Sequence, residues 1–246
     1  MEKFEQEKER EVYHAKIDFF TNVAHEIRTP LTLIKGPLEN IILKKQVDAE
    51  TREDLNVMKQ NTERLLNLTN QLLDFRKTES QGFRLNFAKC NITEVLKETH
   101  VRFTSLAKQK GLDFTLQVPE KDFYAHVNQE AFTKIISNLL NNGMKYAESY
   151  VHVMLEAPQR DDNNLFRIRT VNDGVIIPDA MKEEIFKPFV RFNEQEDGKV
   201  TTGTGIGLAL SRSLAEFHLG TLVMEAGEES NIFCLTYRLF RIRQSL

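Results

Sequence analysis

The chain has 246 residues, 41% of them hydrophobic and 28% charged, with a formal net charge of −3. Such a length holds one large domain or two modest ones, and the composition excludes a mostly disordered chain. The charge excludes broad electrostatic capture of nucleic acid, no apolar run approaches the roughly 18–20 residues of a membrane span, and the charged N-terminus is unlike a secretion signal. Cys90 and Cys234 lie far apart with no CxxC pair, so neither a disulfide framework nor a thiolate zinc site is expected, and a reducing compartment is.

Met1–Glu11 is dense in charge and reads as the start of a longer incoming helix. Beyond it, Phe20, Ala24, Ile27, Leu31, Ile34, Leu38 and Ile41 recur at heptad spacing, and so do Leu55, Met58, Thr62, Leu65, Thr69 and Leu72. Both stripes lie in segments rich in helix formers. The polar stretch 44–50 between them suits a helical hairpin turn. Two helices with narrow stripes cannot enclose a core, so dimerisation into a four-helix bundle is the economical solution. The plainer alternative packs the hairpin on the rest of the chain.

After Ser80-Gln81-Gly82 the pattern becomes mixed. Strands are predicted over Phe83–Phe87, Asp113–Val118, Tyr150–Glu156, Leu165–Val171, Thr221–Glu225 and Ile232–Leu239, and helices over Thr93–Gln109, Gln129–Tyr146 and Gly205–Leu219. Strands flanked by helices read as an α/β sandwich. The expected fold class is α+β: a helical hairpin forming a dimeric four-helix bundle over 1–80, then an α/β sandwich over 81–246.

His25 lies beside Ala24 and two positions before Ile27, so it points off the stripe towards solvent. Alone, an exposed helical histidine is a solvated side chain. His25-Glu26 could open a zinc HExxH, but Thr29 occupies the second ligand's place. Pro30 cannot donate to the helical ladder and weakens the turn after His25. Glu26 could orient or deprotonate one imidazole nitrogen and leave the other free to attack, and neutral imidazole is a good nucleophile near neutral pH. The run Phe19-Phe20-Thr21-Asn22-Val23-Ala24-His25-Glu26-Ile27-Arg28-Thr29-Pro30-Leu31-Thr32 resembles the phosphoacceptor box of sensor histidine kinases nearly throughout. With Pro37 soon after, it is most similar to kinases of hybrid two-component sensors.

Further along, Asn138, Asn142 and Lys145 share one helical face, opposite Ile136, Leu139 and Leu140. Asparagines at 138, 141 and 142 carry a helix-propensity cost, which a solvated polar face would explain plainly. In the sharper reading an amide oxygen serves as a hard ligand for Mg²⁺, Lys145 neutralises phosphate and Tyr146 flanks a nucleotide. Val171-Asn172-Asp173-Gly174 follows a strand and suits a turn that brings backbone close to a flat ligand. The aromatics of Ile185-Phe186-Lys187-Pro188-Phe189-Val190-Arg191-Phe192 suit a core. Gly203-Thr204-Gly205-Ile206-Gly207-Leu208 opens a helix, where backbone N–H groups approach phosphates. It is neither a Rossmann fingerprint nor a Walker motif.

In order and separation these segments resemble the N, G1, F and G2 boxes of the histidine-kinase catalytic domain. The resemblance implies ATP binding in a Bergerat-type sandwich, Mg²⁺ dependence and a homodimer. By position it assigns His25 as phosphoacceptor, Glu26 as general base and Thr29 to dephosphorylation of the receiver. It assigns Asn142 as the metal-binding residue and Asn138 as its companion, with Lys145 and Tyr146 contacting the nucleotide. Asn172, Asp173 and Gly174 match the adenine-reading turn, Phe189 and Arg191 the F box, and Gly203, Thr204, Gly205, Ile206, Gly207 and Leu208 the phosphate loop. The chain departs from the family in G1, usually Asp-x-Gly-x-Gly. Aligned on Gly174, Asn172 stands at the Asp position and Ile176 at the second Gly. A neutral amide makes a weaker bond to the adenine amino group than a carboxylate does.

The expected activity is an ATP-dependent protein-histidine kinase that phosphorylates His25 and passes the phosphoryl group to an aspartate on a response-regulator receiver domain, on a separate chain or downstream in a longer one. This segment is expected to be cytoplasmic, the inner part of a membrane-bound sensor, with no direct contact to membrane or nucleic acid. Two rivals are a gyrase- or chaperone-type ATPase, which gives no reason for the His25 box, and a dimeric signalling scaffold with a degraded nucleotide site.

Overall fold

The computed structural model describes residues 2–43, 48–79, 84–158, 165–192, 205–225, 227 and 229–239, with side chains in the first helix from Val23 onwards. The chain divides into two compact units, Met1–Phe83 and Arg84–Leu246.

The first unit is a pair of helices, α1 (Glu2–Leu43) and α2 (Ala49–Glu79). Arg28 donates to the Asn70 side chain, Lys35 pairs with Glu63 at 3.4 Å, and Lys59 with Glu39 at 3.9 Å. Partner numbers fall along α2 as they rise along α1, so the helices run antiparallel. Asp48 starts α2 by accepting from the Thr51 N–H at 2.8 Å and the Thr51 hydroxyl at 2.7 Å, satisfying a donor that the first turn leaves unpaired. The rest of the predicted turn, 44–47, lies outside the described residues.

The heptad stripe divides in a way the sequence alone does not show. Ala24, Leu31 and Leu38 are 2%, 8% and 5% exposed, whereas Ile27, Ile34 and Ile41 are 40%, 44% and 40% exposed. On α2, Thr62, Thr69 and Leu72 are buried while Met58 and Leu65 are exposed. Alternate members of a heptad stripe fall on either side of the helix contact line. One row therefore closes the hairpin and the other stays open. No helix among the described residues is long and apolar enough to cross a membrane.

The second unit follows the order β1 (Ala88–Asn91), α3 (Ile92–Lys110), β2 (Asp113–Gln117), β3 (Tyr124–Val127), α4 (Gln129–Tyr146), β4 (Tyr150–Glu156), β5 (Leu165–Asn172), two 3₁₀ turns, α5 (Gly207–Phe217), β6 (Thr221–Glu225) and β7 (Asn231–Arg238). Five strands form a sheet in the order β2-β4-β5-β7-β6; β2 and β4 are parallel and the other neighbours antiparallel. Alternation decides the faces. Val151, Val153 and Leu155, Phe166 and Ile168, and Phe233, Leu235 and Tyr237 are buried, as are Phe132, Ile135, Ile136, Leu139 and Leu140 of α4. The Phe132 and Tyr237 rings lie 6.1 Å apart, joining the helical layer to the sheet. Each such large side chain contributes roughly 1.5–3 kcal/mol on burial. On the half-exposed opposite row, Arg169 pairs with Glu156 and, at 2.8 Å, with Glu225.

One prediction shifts. Of the strand expected over Phe83–Phe87, Phe83 lies outside the described residues and 84–87 carry no regular structure; the strand forms instead over Ala88–Asn91. Its ladder partner is Tyr124–Val127, a strand too short to announce itself by periodicity. Backbone pairing, more than alternation, sets where a strand begins.

Candidate functional site

On the hairpin, His25, Glu26 and Thr29 are all exposed on α1, and Ala24 beside them is buried. Pro30 lies within the helix and brings no N–H, so the Glu26 carbonyl has no i+4 backbone donor. Just beyond, the Thr32 hydroxyl donates to the Arg28 carbonyl at 2.9 Å, and Arg28 bridges to Asn70 on α2. The histidine thus projects from a helix that is loosened on its C-terminal side and clamped to α2 one turn later.

In the second unit the chemistry gathers where α4, the end of β5 and the start of α5 meet. Asn128 caps α4 by accepting from the Ala131 N–H at 2.9 Å. Asn138 donates from Nδ2 to the Gly207 carbonyl at 3.3 Å and the Ser211 hydroxyl at 3.2 Å, tying α4 to the first turn of α5. One turn on, Asn142 is half-buried. Lys145 Nζ lies 2.5 Å from the Tyr146 hydroxyl and 4.3 Å from the centre of that ring, and Tyr146 itself is exposed. The described residues hold no cluster of three or more His, Cys, Asp or Glu able to bind a metal. A lone amide oxygen such as that of Asn142 suits Mg²⁺, which keeps most of its shell as water and phosphate oxygens.

The turn after β5 carries three polar side chains with different duties. Asp173 accepts from the N–H groups of Glu148, Ser149 and Tyr150 at 2.9–3.1 Å and from the Ser149 hydroxyl. Burial pushes its carboxyl up, but these bonds outweigh it and hold the pKa down to about 2. Asn231, at the head of β7, accepts from the Ile177 N–H at 3.0 Å and donates to the Gly174 and Val175 carbonyls at 3.3 and 3.0 Å. Asp173 therefore fastens the loop before β4, and Asn231 fastens the 174–177 turn. Asn172 does neither. It is 3% exposed, and its Nδ2 has no hydrogen-bond partner. Gly174 beside it is required sterically, since a Cβ there would sit 1.9 Å from the Tyr146 carbonyl oxygen. That contact brings the last residue of α4 against the end of β5.

Phe189 holds a positive φ of 68°, unusual for a bulky residue, and its N–H donates to the Gly205 carbonyl at 3.0 Å. Gly205 has φ of 70°, and a Cβ there would meet Phe189 and Val190 backbone atoms at 2.8 Å. The F segment is thereby fastened to the glycine-rich segment. Arg191 is half-buried. Ile206 is buried, Gly207 and Leu208 are half-buried in the first turn of α5, and no side chain caps that helix start. Gly203 and Thr204 lie outside the described residues.

Sequence reasoning gave Asp173 to the ligand, whereas its carboxylate is engaged with the 148–150 backbone. It missed Asn231 altogether. The available signal was a polar residue on the buried row that continues as Phe233, Leu235 and Tyr237.

Two family descriptions match the chain: His Kinase A (phospho-acceptor) domain over residues 15–81, and histidine kinase-, DNA gyrase B- and HSP90-like ATPase over residues 127–239. Histidine kinase P4 of Formosa agariphila is 33% identical over 224 residues, covering 90% of this chain and 16% of that protein. Hybrid signal transduction histidine kinase D of Dictyostelium discoideum is 34% identical over 224 residues, covering 89% of this chain and 14% of that protein. In fold, full-length ShkA in complex with AMPPNP superposes with a TM-score of 0.73 at 21% identity, covering 90% of this chain and 46% of that one. The histidine kinase ThkA in complex with the response regulator TrrA gives 0.63 at 23% identity, covering 97% of this chain and 66% of that one. The chain carries a sensor histidine kinase catalytic core, a phosphoacceptor hairpin followed by an ATPase domain. It spans under a fifth of the length of the two curated relatives named.

Proposed function

We propose that the chain is an ATP-dependent protein-histidine kinase that phosphorylates His25 and hands the phosphoryl group to an aspartate of a response-regulator receiver domain. The observation that carries this reading is the pairing, in one chain, of an exposed histidine on a proline-loosened helix with a buried side-chain amide nitrogen, that of Asn172, left without a partner beside Gly174. An imidazole nitrogen of His25 attacks the γ-phosphorus in line. The N–P bond forms as the bond to the β,γ-bridging oxygen breaks, and ADP leaves with that electron pair. Glu26 takes the proton from the other ring nitrogen. Asn142 offers the amide oxygen that would hold Mg²⁺, which when bound offsets charge on the phosphates. Lys145 adds a second positive charge there, Asn138 fixes the start of α5, and the uncapped N–H groups of that helix face the phosphates. Asn172 receives the adenine amino group. Thr29, one turn beyond His25, aligns water for dephosphorylation of the receiver.

The open row Ile27, Ile34 and Ile41 supports a homodimer through a four-helix bundle. The segment works in the cytoplasm as part of a larger sensor. A second reading, a dimeric scaffold without turnover, is favoured by Asn172 at the acidic position and Ile176 at a glycine position. Incubation with γ-labelled ATP and Mg²⁺ decides between them. Acid-labile label on the protein is expected; label absent from protein and from free phosphate alike leaves the scaffold.

A further inference from the structure

The polar groups around the β5 turn leave one question open, and it concerns which base the site takes. Asp173 is fully engaged by four donors of the 148–150 loop. Asn231 has both ends of its amide bonded, oxygen to Ile177 and nitrogen to Gly174 and Val175. Those bonds fix which way its amide points. Asn172, directly across the ladder from Asn231, has no acceptor on Nδ2 and is 3% exposed. Two residues back on the same buried row, Thr170 is 1% exposed and its Oγ1 is also without a partner. Tyr237 Oη on β7 is the third such atom among the described residues. Buried polar atoms of native proteins are nearly always hydrogen-bonded, and of the three only Asn172 borders the Gly174 turn, so it marks the place where a ligand supplies a missing partner.

A purine edge has two adjacent polar positions. Adenine shows a 6-amino donor next to the N1 acceptor; guanine shows an O6 acceptor next to an N1–H donor. The second pattern is the first with donor and acceptor exchanged. A carboxylate held at position 6 only accepts, so it pairs with the adenine amino group there but faces O6 of guanine as acceptor against acceptor. A side-chain amide carries one donor end and one acceptor end, and a half-turn about its last torsion exchanges them. Such a rotation is unopposed where no protein acceptor holds the nitrogen, which is the situation of Asn172. Its neighbour Gly174 has no side chain to obstruct the turn, whereas a Cβ there would crowd Nδ2 at 3.1 Å.

We propose that Asn172 pairs with the Watson–Crick edge of either purine through a rotatable amide, so that the nucleotide site accepts GTP as well as ATP as phosphoryl donor. This rests on the nucleotide reading given under Proposed function. Asn172 is a specificity-determining residue that touches the base, and the substrate class is purine nucleoside triphosphates rather than adenine alone.

Calorimetric titration of the full chain with the magnesium complexes of ATP, GTP and CTP tests this without any substitution. ATP and GTP are expected to bind within about tenfold of one another, with CTP more than tenfold weaker than either. ATP binding with GTP at least a hundredfold weaker would overturn the purine proposal and leave the kinase reading intact. Binding by none of the three would overturn the nucleotide reading and this proposal with it. CTP binding as tightly as ATP would show that the base is not read. The substitution Asn172→Asp should tighten ATP, weaken GTP and widen their ratio by about tenfold or more, with folding checked by circular dichroism. A folded variant with an unchanged ratio removes Asn172 from base reading. Labelling of His25 from γ-labelled GTP supplies the matching activity readout.

Discussion

The hairpin and the ATPase unit each leave something unpartnered, and what they leave differs in kind. The hairpin buries Ala24, Leu31 and Leu38 but leaves Ile27, Ile34 and Ile41 about two-fifths exposed. The ATPase unit buries a continuous apolar core, with Ile135, Leu139, Val151 and Ile168 all inaccessible, and strands instead three polar atoms among the described residues, on Thr170, Asn172 and Tyr237. An apolar remainder is non-directional and is met by another apolar surface, in the proposed homodimer a second copy of the hairpin. A polar remainder is directional and is met by a ligand with matching donors and acceptors. On the proposed function, acceptor histidine and nucleotide pocket sit on units completed by different partners, and each should fail separately.

The strongest way to separate them is His25→Gln. Acid-labile labelling from γ-labelled ATP should vanish entirely while calorimetric ATP binding stays unchanged, because the pocket residues lie in the other unit. Label retained on that variant would move the acceptor elsewhere. Next in size is the open row. Ile27→Glu combined with Ile34→Glu puts charge into a surface whose burial is worth roughly 25 cal/mol per Å². Light scattering should report a halved mass with helicity kept, since neither side chain closes the hairpin itself. An unchanged dimer mass would place the seam on another face.

How far these features could be read in the sequence follows the same division. Helix α4 emerges with its predicted ends, Gln129 and Tyr146, because Asn128 supplies a cap and the apolar period runs unbroken. The stripe on α1 was legible as one seam, but its division into a closed and an open row depends on where α2 lies against it, which a repeat of seven does not encode. The strand over Ala88–Asn91 was misplaced because its partner, Tyr124–Val127, is only four residues long. At the site, the types and order of residues were legible. Which of Asn172, Asp173 and Asn231 remains free for a ligand was not. That depends on long-range bonds from 173 to 148–150 and from 231 to 174–177, which no local pattern reports.

A smaller effect contrasts two glycines, one in each unit. At Gly174 a Cβ would collide with the Tyr146 carbonyl oxygen at 1.9 Å, while at Gly36 on α1 it would meet nothing within 4 Å. Gly174→Ala should destabilise the ATPase unit by at least about 1–3 kcal/mol and loosen ATP binding, as α4 and β5 are pushed apart. Gly36→Ala should stabilise the hairpin by about 0.5–1 kcal/mol through helix propensity. Thermal melts of both variants check this, and a neutral Gly174→Ala would deny the close approach of the turn to α4.

The smallest expected effect is a pH dependence carried by the ATPase unit alone, through His218 after α5. Its side chain is buried, and both ring nitrogens are engaged: Nε2 accepts from the Asn128 N–H at 3.0 Å, which leaves Nδ1–H to donate to the Leu214 carbonyl at 2.7 Å. Burial pushes its pKa below the ordinary 6.5, and the bond to Leu214 only partly opposes that shift. The folded state therefore binds a proton less readily than the unfolded chain, so stability rises with pH. The contribution is fully present above about 6.5 and is lost as pH falls from there through the depressed folded value. Protonation would also place a second N–H against the Asn128 N–H and disturb the cap at the start of α4, the helix that carries Asn138 and Asn142. Denaturant melts at pH 7.5 and 5.5 should show the ATPase transition moving to lower denaturant in acid. His218→Gln, which cannot titrate, should cost about 1–3 kcal/mol at pH 7.5 by stranding a buried donor, yet show a flatter response between the two pH values. Equal acid sensitivity in wild type and variant would assign the effect to another group.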